Sequence, residues 1–215
     1  MKTKKYFKYL EIFSLTTLPP LIIITYEIQK YVIPIIIFFS FLAIIYLKKN
    51  NYSFRLEILK DKKPFYKLLL RSFIICLVLF YGTYLFFPDH FILLPILNLK
   101  LWLLIILLYP IISAFPQELL FRVFFFYRYS DLFKNQKSII FFNGFVFGLM
   151  HSIYLNIVVV FLAFIAGILF AKNYYCNKSI FLVTLEHSIL GNIIFSIGLG
   201  HFFYHGNIKY IYSIL

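Results

Sequence analysis

Residues 99–129 read LKLWLLIILLYPIISAFPQELLFRVFFFYRY, an apolar stretch that is too long for one perpendicular membrane crossing. As a single helix it would be about 46 Å long, whereas the hydrocarbon core of a bilayer is about 30 Å thick. Proline interrupts a helix or starts a new one, and this stretch contains Pro110 and Pro116. We therefore expect a kinked or two-part helix, with Glu118 in the first turn after Pro116, where the helix dipole stabilises a carboxylate.

The rest of the chain has the composition of a membrane protein. Of its 215 residues 62% are hydrophobic and only 13% are charged, more apolar surface than a soluble domain of this size could bury. Further apolar runs, each about long enough to cross a bilayer, lie near 9–26, 31–48, 67–87, 138–154, 157–173 and 179–199. The sequence predicts an all-α polytopic bundle of about seven transmembrane helices, with the fourth kinked or broken.

The basic residues predict the orientation of this bundle. They concentrate in alternate segments, namely the N-terminus, 48–67, 128–137 and 172–178, while 27–30, 88–100, 152–156 and the tail after 200 contain few. Because cytoplasmic loops are enriched in Lys and Arg, we expect a multi-pass protein of the cell membrane with a cytoplasmic N-terminus. Segment 51–66 is expected to form an interfacial helix. The net charge of +13 is explained by topology, so no nucleic-acid partner is expected.

We single out four ionisable side chains that lie within the apolar runs: Glu118, Arg122, His151 and His187. A charge inside the bilayer costs roughly 3 kcal/mol on insertion scales, so such residues usually mark a functional site. Counted at about 1.5 Å per residue from the predicted cytoplasmic ends, Glu118, His151, His187 and Asn192 lie roughly 17, 20, 13 and 21 Å deep. Three helices would thus bring polar residues to a similar depth, where we expect a buried polar cavity.

These residue types allow two kinds of chemistry, and the sequence alone does not separate them. In the first, Glu118 accepts a proton from a water that His151 orients, and His187 and Asn192 donate hydrogen bonds to an oxyanion. Arg122, at i+4, would orient Glu118. In the second, Glu118, His151 and His187 are ligands of a divalent metal such as zinc, with an open position for water. A purely structural Glu118–Arg122 ion pair is the simplest alternative to both.

The three polar segments resemble the motifs of the CPBP intramembrane proteases, the family that comprises the CAAX prenyl proteases type 2 and the Abi or bacteriocin-processing proteins. Residues 117–122 read QELLFR, residues 147–151 read FGLMH and residues 187–192 read HSILGN. In order, they resemble the family's Glu-Glu-x-x-x-Arg, Phe-x-x-x-His and His-x-x-x-Asn. The resemblance covers roughly residues 99–200, which would form the catalytic core. Residues 1–98 would supply N-terminal transmembrane helices and the interfacial segment, and 201–215 a tail.

The resemblance implies an intramembrane endopeptidase that hydrolyses a peptide bond of a membrane-associated or hydrophobic peptide. Two positions depart from the pattern. Gln117 replaces the first glutamate, so Glu118 would have to serve as the base, and Gly191 stands where asparagine is expected, one residue before Asn192. Two other functions therefore stay open: a non-catalytic membrane scaffold or immunity protein, and a proton-coupled transporter. The transporter is less favoured, because the sequence has no internal repeat.

Overall fold

The structure, a computed structural model, describes residues 2–54 and 61–203, and within these ranges it contains helices and no β-strand. This confirms the predicted all-α class. The α-helices are α1 (Lys2–Thr25), α2 (Val32–Lys49), α3 (Lys63–Phe86), α4 (Leu93–Leu97), α5 (Leu99–Tyr109), α6 (Phe115–Glu118), α7 (Phe125–Tyr129), α8 (Gln136–Met150), α9 (Ile157–Asn177) and α10 (Ile180–Ile197).

Six stretches of the described chain are long and apolar enough to cross a bilayer, which agrees with a multi-pass membrane protein. They are Lys5–Thr25, Gln29–Lys49, Lys63–Phe86, Leu99–Leu132, Ile157–Asn177 and Ile180–Ile197. The seventh predicted crossing, 138–154, corresponds to α8, which has only 15 residues and is followed by a 3₁₀ turn, His151–Tyr154. At about 1.5 Å per residue α8 is shorter than the hydrocarbon core. The chain therefore turns back at His151 after a helix that is shorter than a full crossing.

The central stretch, predicted to kink or break near Pro110 and Pro116, stays helical throughout. Instead, its backbone hydrogen bonds become π-helical in two segments, Pro110–Ala114 and Leu119–Phe124, which flank the short helix α6. Proline supplies no N–H for the regular ladder, and π-helical turns widen a helix and rotate the residues that follow. Glu118 and Arg122 therefore project from a locally distorted stretch rather than from a regular helix.

The helices α8 and α9 form a closely packed antiparallel hairpin. A Cβ atom added to Gly167 would lie 2.9 Å from Cβ of Phe147 and 3.0 Å from Cα of Gly144, so only glycine allows this separation of the backbones. Lipid provides no hydrophobic driving force for helix association. Small residues at such crossings allow close van der Waals packing, which holds the helices together instead. Helix α10 packs against α3, α5 and α9 and completes the wall of the site.

Several contacts define one end of the bundle, which we call the basic end. Lys8 Nζ lies 2.7 Å from Oδ1 of Asp131, and the Tyr127 hydroxyl donates to the Asn50 carbonyl oxygen at 3.0 Å. The N-terminal half of α1, the end of α2 and the end of α7 therefore meet there. At the opposite end Ile23 at the end of α1 clusters with Val32 and with Ile153 of the 3₁₀ turn.

In this arrangement the ends of successive helices alternate between the two ends of the bundle, as the basic loops predict. The orientation of the bundle relative to the cell stays a prediction. In the predicted interfacial helix 51–66, residues 52–54 are not helical, α3 begins at Lys63, and residues 55–60 lie outside the described residues. Of the predicted tail 201–215, residues 201–203 belong to the 3₁₀ helix Leu199–Phe203, and residues 204–215 lie outside the described residues.

Candidate active site

A carboxylate and an imidazole from different helices meet in the centre of the molecule. Glu118 of α6 is 0% exposed, and its Oε1 lies 2.8 Å from Nδ1 of His187 on α10. The His187 ring stacks on Phe170, with ring centroids 4.7 Å apart and an angle of 23° between the planes. These two contacts fix both the rotation and the tilt of the imidazole. Because a carboxylate only accepts, Nδ1 carries the proton, and Nε2 of the neutral ring is an acceptor.

Arg122 neutralises the same carboxylate from the other side. Its Nε lies 3.1 Å from Oε2 of Glu118, both side chains are 0% exposed, and the two atoms are not aligned for a hydrogen bond. The guanidinium group lies over the ring of Phe147, 4.8 Å from its centroid. The i,i+4 ion pair expected from the sequence is thus formed, and it occupies the second oxygen of Glu118.

Asn143 on α8 completes the support of Arg122, and no motif in the sequence indicated this role. Its Oδ1 accepts a hydrogen bond from Nη1 of Arg122 at 2.5 Å, and its Nδ2 donates to the carbonyl oxygen of Phe121 at 2.7 Å. The amide therefore links the charged group to the π-helical backbone. Asn143 is 0% exposed, and an asparagine buried within an apolar run was the only sequence signal that could have identified it.

His151 contributes a second imidazole at the point where α8 ends. Its Nδ1 lies 2.7 Å from the carbonyl oxygen of Phe147. A carbonyl oxygen only accepts, so Nδ1 carries the proton and Nε2 is an acceptor in the neutral ring. The Phe147 ring lies 4.6 Å from the His151 ring and 5.7 Å from the His187 ring, measured between centroids. His151 and Glu118 are not hydrogen-bonded to each other.

Two cavities meet between these residues. The larger has a volume of about 870 Å³ and is lined by both His151 and His187, and the smaller has a volume of about 390 Å³. The two share Val32, Ile33, Ser113, Gln117, His151 and Tyr154. The larger cavity reaches Glu27 and Lys30 at the end opposite the basic end, and the smaller one reaches Glu11. The predicted buried cavity with polar groups in its wall is therefore present.

The remaining wall of the larger cavity is apolar and faces the lipid in part. Ile74 and Val78 of α3, Leu104 of α5 and Ile165 of α9 line it, and each of these side chains is also exposed on the outside of the bundle. A cavity bounded by residues that face the hydrocarbon suits an apolar ligand, since that ligand gains contacts without leaving an apolar environment.

Two motif residues occupy positions that the sequence did not indicate. The Gln117 side chain lines both cavities and its Nε2 donates to Oγ of Ser113 at 2.9 Å. Asn192 does not line either cavity; its Nδ2 donates to the carbonyl oxygen of Ile106 at 3.2 Å. The predicted oxyanion donor therefore binds the backbone of α5, because position 192 lies about 100° around the helix from position 191.

Glu186, the neighbour of His187, belongs to a separate buried cluster. Its Oε1 accepts a hydrogen bond from Nε of Arg71 at 2.8 Å, and its Oε2 accepts one from Nδ2 of Asn173 at 2.7 Å. The cluster joins α10 to α3 and α9, and Glu186 is 0% exposed without lining either cavity. Its carboxylate is satisfied by protein partners, so it has a structural role.

The three side chains predicted as metal ligands are not arranged as a metal site. Within residues 2–54 and 61–203 no group of three or more His, Cys, Asp or Glu side chains is placed to hold a metal ion. Glu118 uses one oxygen for His187 and the other for Arg122, and His151 does not join them. The donor set of Glu118, His151 and His187 therefore does not fit a catalytic zinc ion.

Comparison with known proteins identifies the region that carries this site. Residues 98–194 match the family model of the type II CAAX prenyl endopeptidases described as Rce1-like. The match includes all three motifs and agrees with the resemblance to the CPBP proteases. No curated protein and no solved structure matches the chain significantly.

Proposed function

Because residues 98–194 match the family model of the type II CAAX prenyl endopeptidases described as Rce1-like, we propose that this protein is an intramembrane endopeptidase. It hydrolyses a peptide bond in a membrane-associated or hydrophobic peptide. The observation that carries the proposal is the 2.8 Å contact between Glu118 and His187 in the wall of a cavity that His151 also lines. A structural ion pair would require neither imidazole.

In the proposed reaction the Glu118–His187 pair accepts a proton from water. Glu118 is 0% exposed, so it acts through the imidazole as a positioning residue and not as a direct base. Nε2 of neutral His187 takes the proton while Nδ1–H stays bonded to the carboxylate, which stabilises the imidazolium that forms. The hydroxide attacks the scissile carbonyl carbon. When the C–N bond breaks, Nε2 returns the proton to the leaving amine.

His151 orients the attacking water in this scheme. With its Nδ1–H donated to the Phe147 carbonyl, its Nε2 is an acceptor on the same cavity. Two acceptors can hold both hydrogens of one water, leaving the oxygen lone pair for the carbonyl carbon. This division of work differs from the sequence-based assignment of His187 as an oxyanion donor, since the proton on Nδ1 is already committed to Glu118.

The substrate would enter along the apolar wall of the larger cavity. The family description names prenylated CAAX peptides, whose lipid chain would lie against the lipid-facing residues of this wall. The scissile bond would then lie beside the two imidazoles, and the bilayer would hold the substrate in register. A farnesylated peptide ending in a CAAX sequence is therefore the first probe to use.

The test is cleavage of an internally quenched farnesylated CAAX peptide by the purified protein in detergent. We expect the wild type to cleave, and Glu118→Gln and His151→Ala each to lower kcat by about 10²-fold or more. Glu186→Gln is the matched control, because Glu186 is equally buried on α10 but its partners are Arg71 and Asn173. Full activity in both Glu118→Gln and His151→Ala would remove the proposed mechanism.

One observation favours a second candidate, a membrane protein that binds hydrophobic peptides without cleaving them. Gln117 replaces the first glutamate of the family motif, and its amide is bonded to Ser113 on the cavity wall. This candidate predicts that the wild type binds the farnesylated peptide without cleaving it. It also predicts that Gln117→Glu, which adds a carboxylate to the wall, gains cleavage. Cleavage by the wild type decides for the peptidase.

A further inference from the structure

Hydrolysis of an amide needs hydrogen-bond donors as well as proton acceptors. Negative charge develops on the carbonyl oxygen in the transition state, and a donor aimed at it is worth about 10²–10³ in kcat. Both imidazoles border the cavity with acceptor nitrogens in their neutral forms, and the amide of Asn192 is bonded to Ile106. If the proposed function holds, the chain must supply an N–H or O–H from another side chain.

Tyr109, the last residue of α5, lines the same cavity beside the catalytic pair. Its ring centroid lies 5.8 Å from that of His187 and 5.6 Å from that of Phe195. Within the described residues, the hydroxyl group of Tyr109 makes no hydrogen bond. It is also not one of the fully buried polar atoms that lack a partner. The phenolic oxygen is therefore accessible, and Tyr109 is part of the cavity wall.

Gly191 makes room for this ring. A Cβ atom on residue 191 would meet Cε1, Cζ and Oη of Tyr109, so any larger residue would displace the end of the tyrosine. Gly191 lies one helical turn after His187, and both residues face the larger cavity. The hydroxyl group thus occupies the space that a side chain at position 191 would fill, one helical turn from His187.

The backbone at Tyr109 also holds the ring in this position. The π-helical segment Pro110–Ala114 begins at the next residue, and Pro110 has no N–H to continue the regular ladder. The helix is thus distorted next to the residue that carries the ring. The tip of the ring lies against Gly191, and the ring makes an edge contact with His187. A ring fixed at both ends gives a preorganised donor, which costs no reordering in the transition state.

We propose that the Tyr109 hydroxyl donates a hydrogen bond to the carbonyl oxygen of the scissile bond as it becomes an oxyanion. This inference rests on the proposed peptidase function and assigns a catalytic residue outside its three motifs. Ser113 and Gln117 also line the cavity, but they are bonded to each other and neither ring-stacks with nor hydrogen-bonds to His187. Tyr154 also lines the cavity, but its ring lies beside His151. Of these donors, Tyr109 is the one that contacts the proton-accepting imidazole of His187.

The experiment compares the wild type with Tyr109→Phe, which removes one oxygen and keeps the ring against Gly191. With the farnesylated peptide we expect kcat to fall about 10²-fold and KM to change by less than about threefold. Tyr174→Phe is the matched control: its hydroxyl lies 3.0 Å from that of Tyr52, and it lines neither cavity. The control should keep the wild-type kcat.

A second readout does not depend on turnover. A farnesylated peptide aldehyde, whose hydrate resembles the tetrahedral intermediate, should bind Tyr109→Phe about tenfold or more less tightly than wild type. The corresponding peptide alcohol should bind both proteins equally. A merely structural tyrosine would weaken both ligands or neither.

A rescue variant tests the position of the donor. Tyr109→Ala empties the space next to Gly191, and adding Gly191→Asn returns an amide N–H to it. We expect the double variant to exceed Tyr109→Ala in kcat by about tenfold. If Tyr109→Phe keeps kcat within about threefold of wild type while Glu118→Gln is inactive, the inference is wrong and the peptidase assignment stands. A wild type that does not cleave overturns both.

Discussion

The Oε1 atom of Glu118 lies 2.8 Å from Nδ1 of His187, although the two residues are 69 positions apart in the sequence. The contact joins the distorted central helix to α10 and buries the carboxylate completely. An isolated glutamate would carry both the negative charge and the lone pair that accepts a proton from water. Here the negative charge stays on Glu118, and the lone pair that can accept the proton is on Nε2 of His187. In the proposed reaction the pair therefore acts as one functional group.

A double-mutant cycle tests this coupling. Glu118→Gln removes the charge that stabilises the imidazolium, and His187→Gln removes the acceptor itself. Because the two residues act as a unit, we expect the double variant to lose no more kcat than the worse single variant, which is a loss of about 10²-fold or more. The measurement is kcat for the farnesylated peptide. Losses that multiply would show that the residues act independently.

The Glu118–Arg122 pair has a separate effect on stability. Arg122→Met leaves the fully buried Glu118 without its counter-charge, and breaking such a pair costs about 3–5 kcal/mol of unfolding free energy. Glu118→Gln/Arg122→Met removes both charges and should recover most of this loss. Unfolding of each purified variant in detergent, followed by circular dichroism against denaturant, gives the free energies.

Arg71→Met is the matched control for this cycle. Arg71 also pairs with a buried glutamate, but its own side chain is 34% exposed, and Asn173 still donates a hydrogen bond to Glu186 when the Arg71 charge is lost. We expect a smaller loss of stability than for Arg122→Met. Equal losses in the two variants would contradict the argument that burial sets the cost.

The contact between α8 and α9 predicts a contrast between two glycines. Gly167→Val places methyl groups where Phe147 and Gly144 already lie, so the helices must separate, at a cost of about 1–3 kcal/mol or more. Gly82→Val in α3 meets no atom within 4 Å and should be tolerated. The thermal unfolding midpoint in detergent distinguishes the two. A lower midpoint for Gly82→Val than for Gly167→Val would refute the close packing.

Acidification should loosen the segment that follows α10. Burial, and secondarily the neighbouring His90, lower the pKa of His201 below its ordinary value, and the two rings stack with centroids 4.2 Å apart. The unfolded chain therefore binds more protons, and stability falls as the pH drops through the ordinary histidine pKa of about 6.5. The destabilisation is complete at a pH below the pKa of His201 in the folded protein. It is absent at a pH well above the pKa of this histidine in the unfolded chain.

The test compares thermal midpoints at about pH 7.5 and about pH 5 for wild type and His201→Phe. Acid lowers the midpoint of both proteins through other groups, so the difference between them isolates His201. We expect the smaller decrease in the variant. The sequence did not indicate the stacking of His201 with His90.

The sequence determined the class of the protein and the residues worth testing. Apolar runs of about 20 residues and alternating basic loops act locally, because each run must satisfy its own backbone hydrogen bonds and each loop its own charges. The sequence also allowed the selection of four residues within apolar runs, namely Glu118, Arg122, His151 and His187. A charge or imidazole inside an apolar run is a local anomaly, whatever its neighbours are.

Only the tertiary structure decided how these residues are paired. The bond from Glu118 to His187, the support of Arg122 by Asn143 and the position of the Tyr109 ring beside Gly191 depend on how far each helix is rotated. Two π-helical segments change that rotation in the central helix, and α8 ends early at His151. One residue of shift turns a side chain by about 100°, so the contacts follow from packing and cannot be counted along the chain.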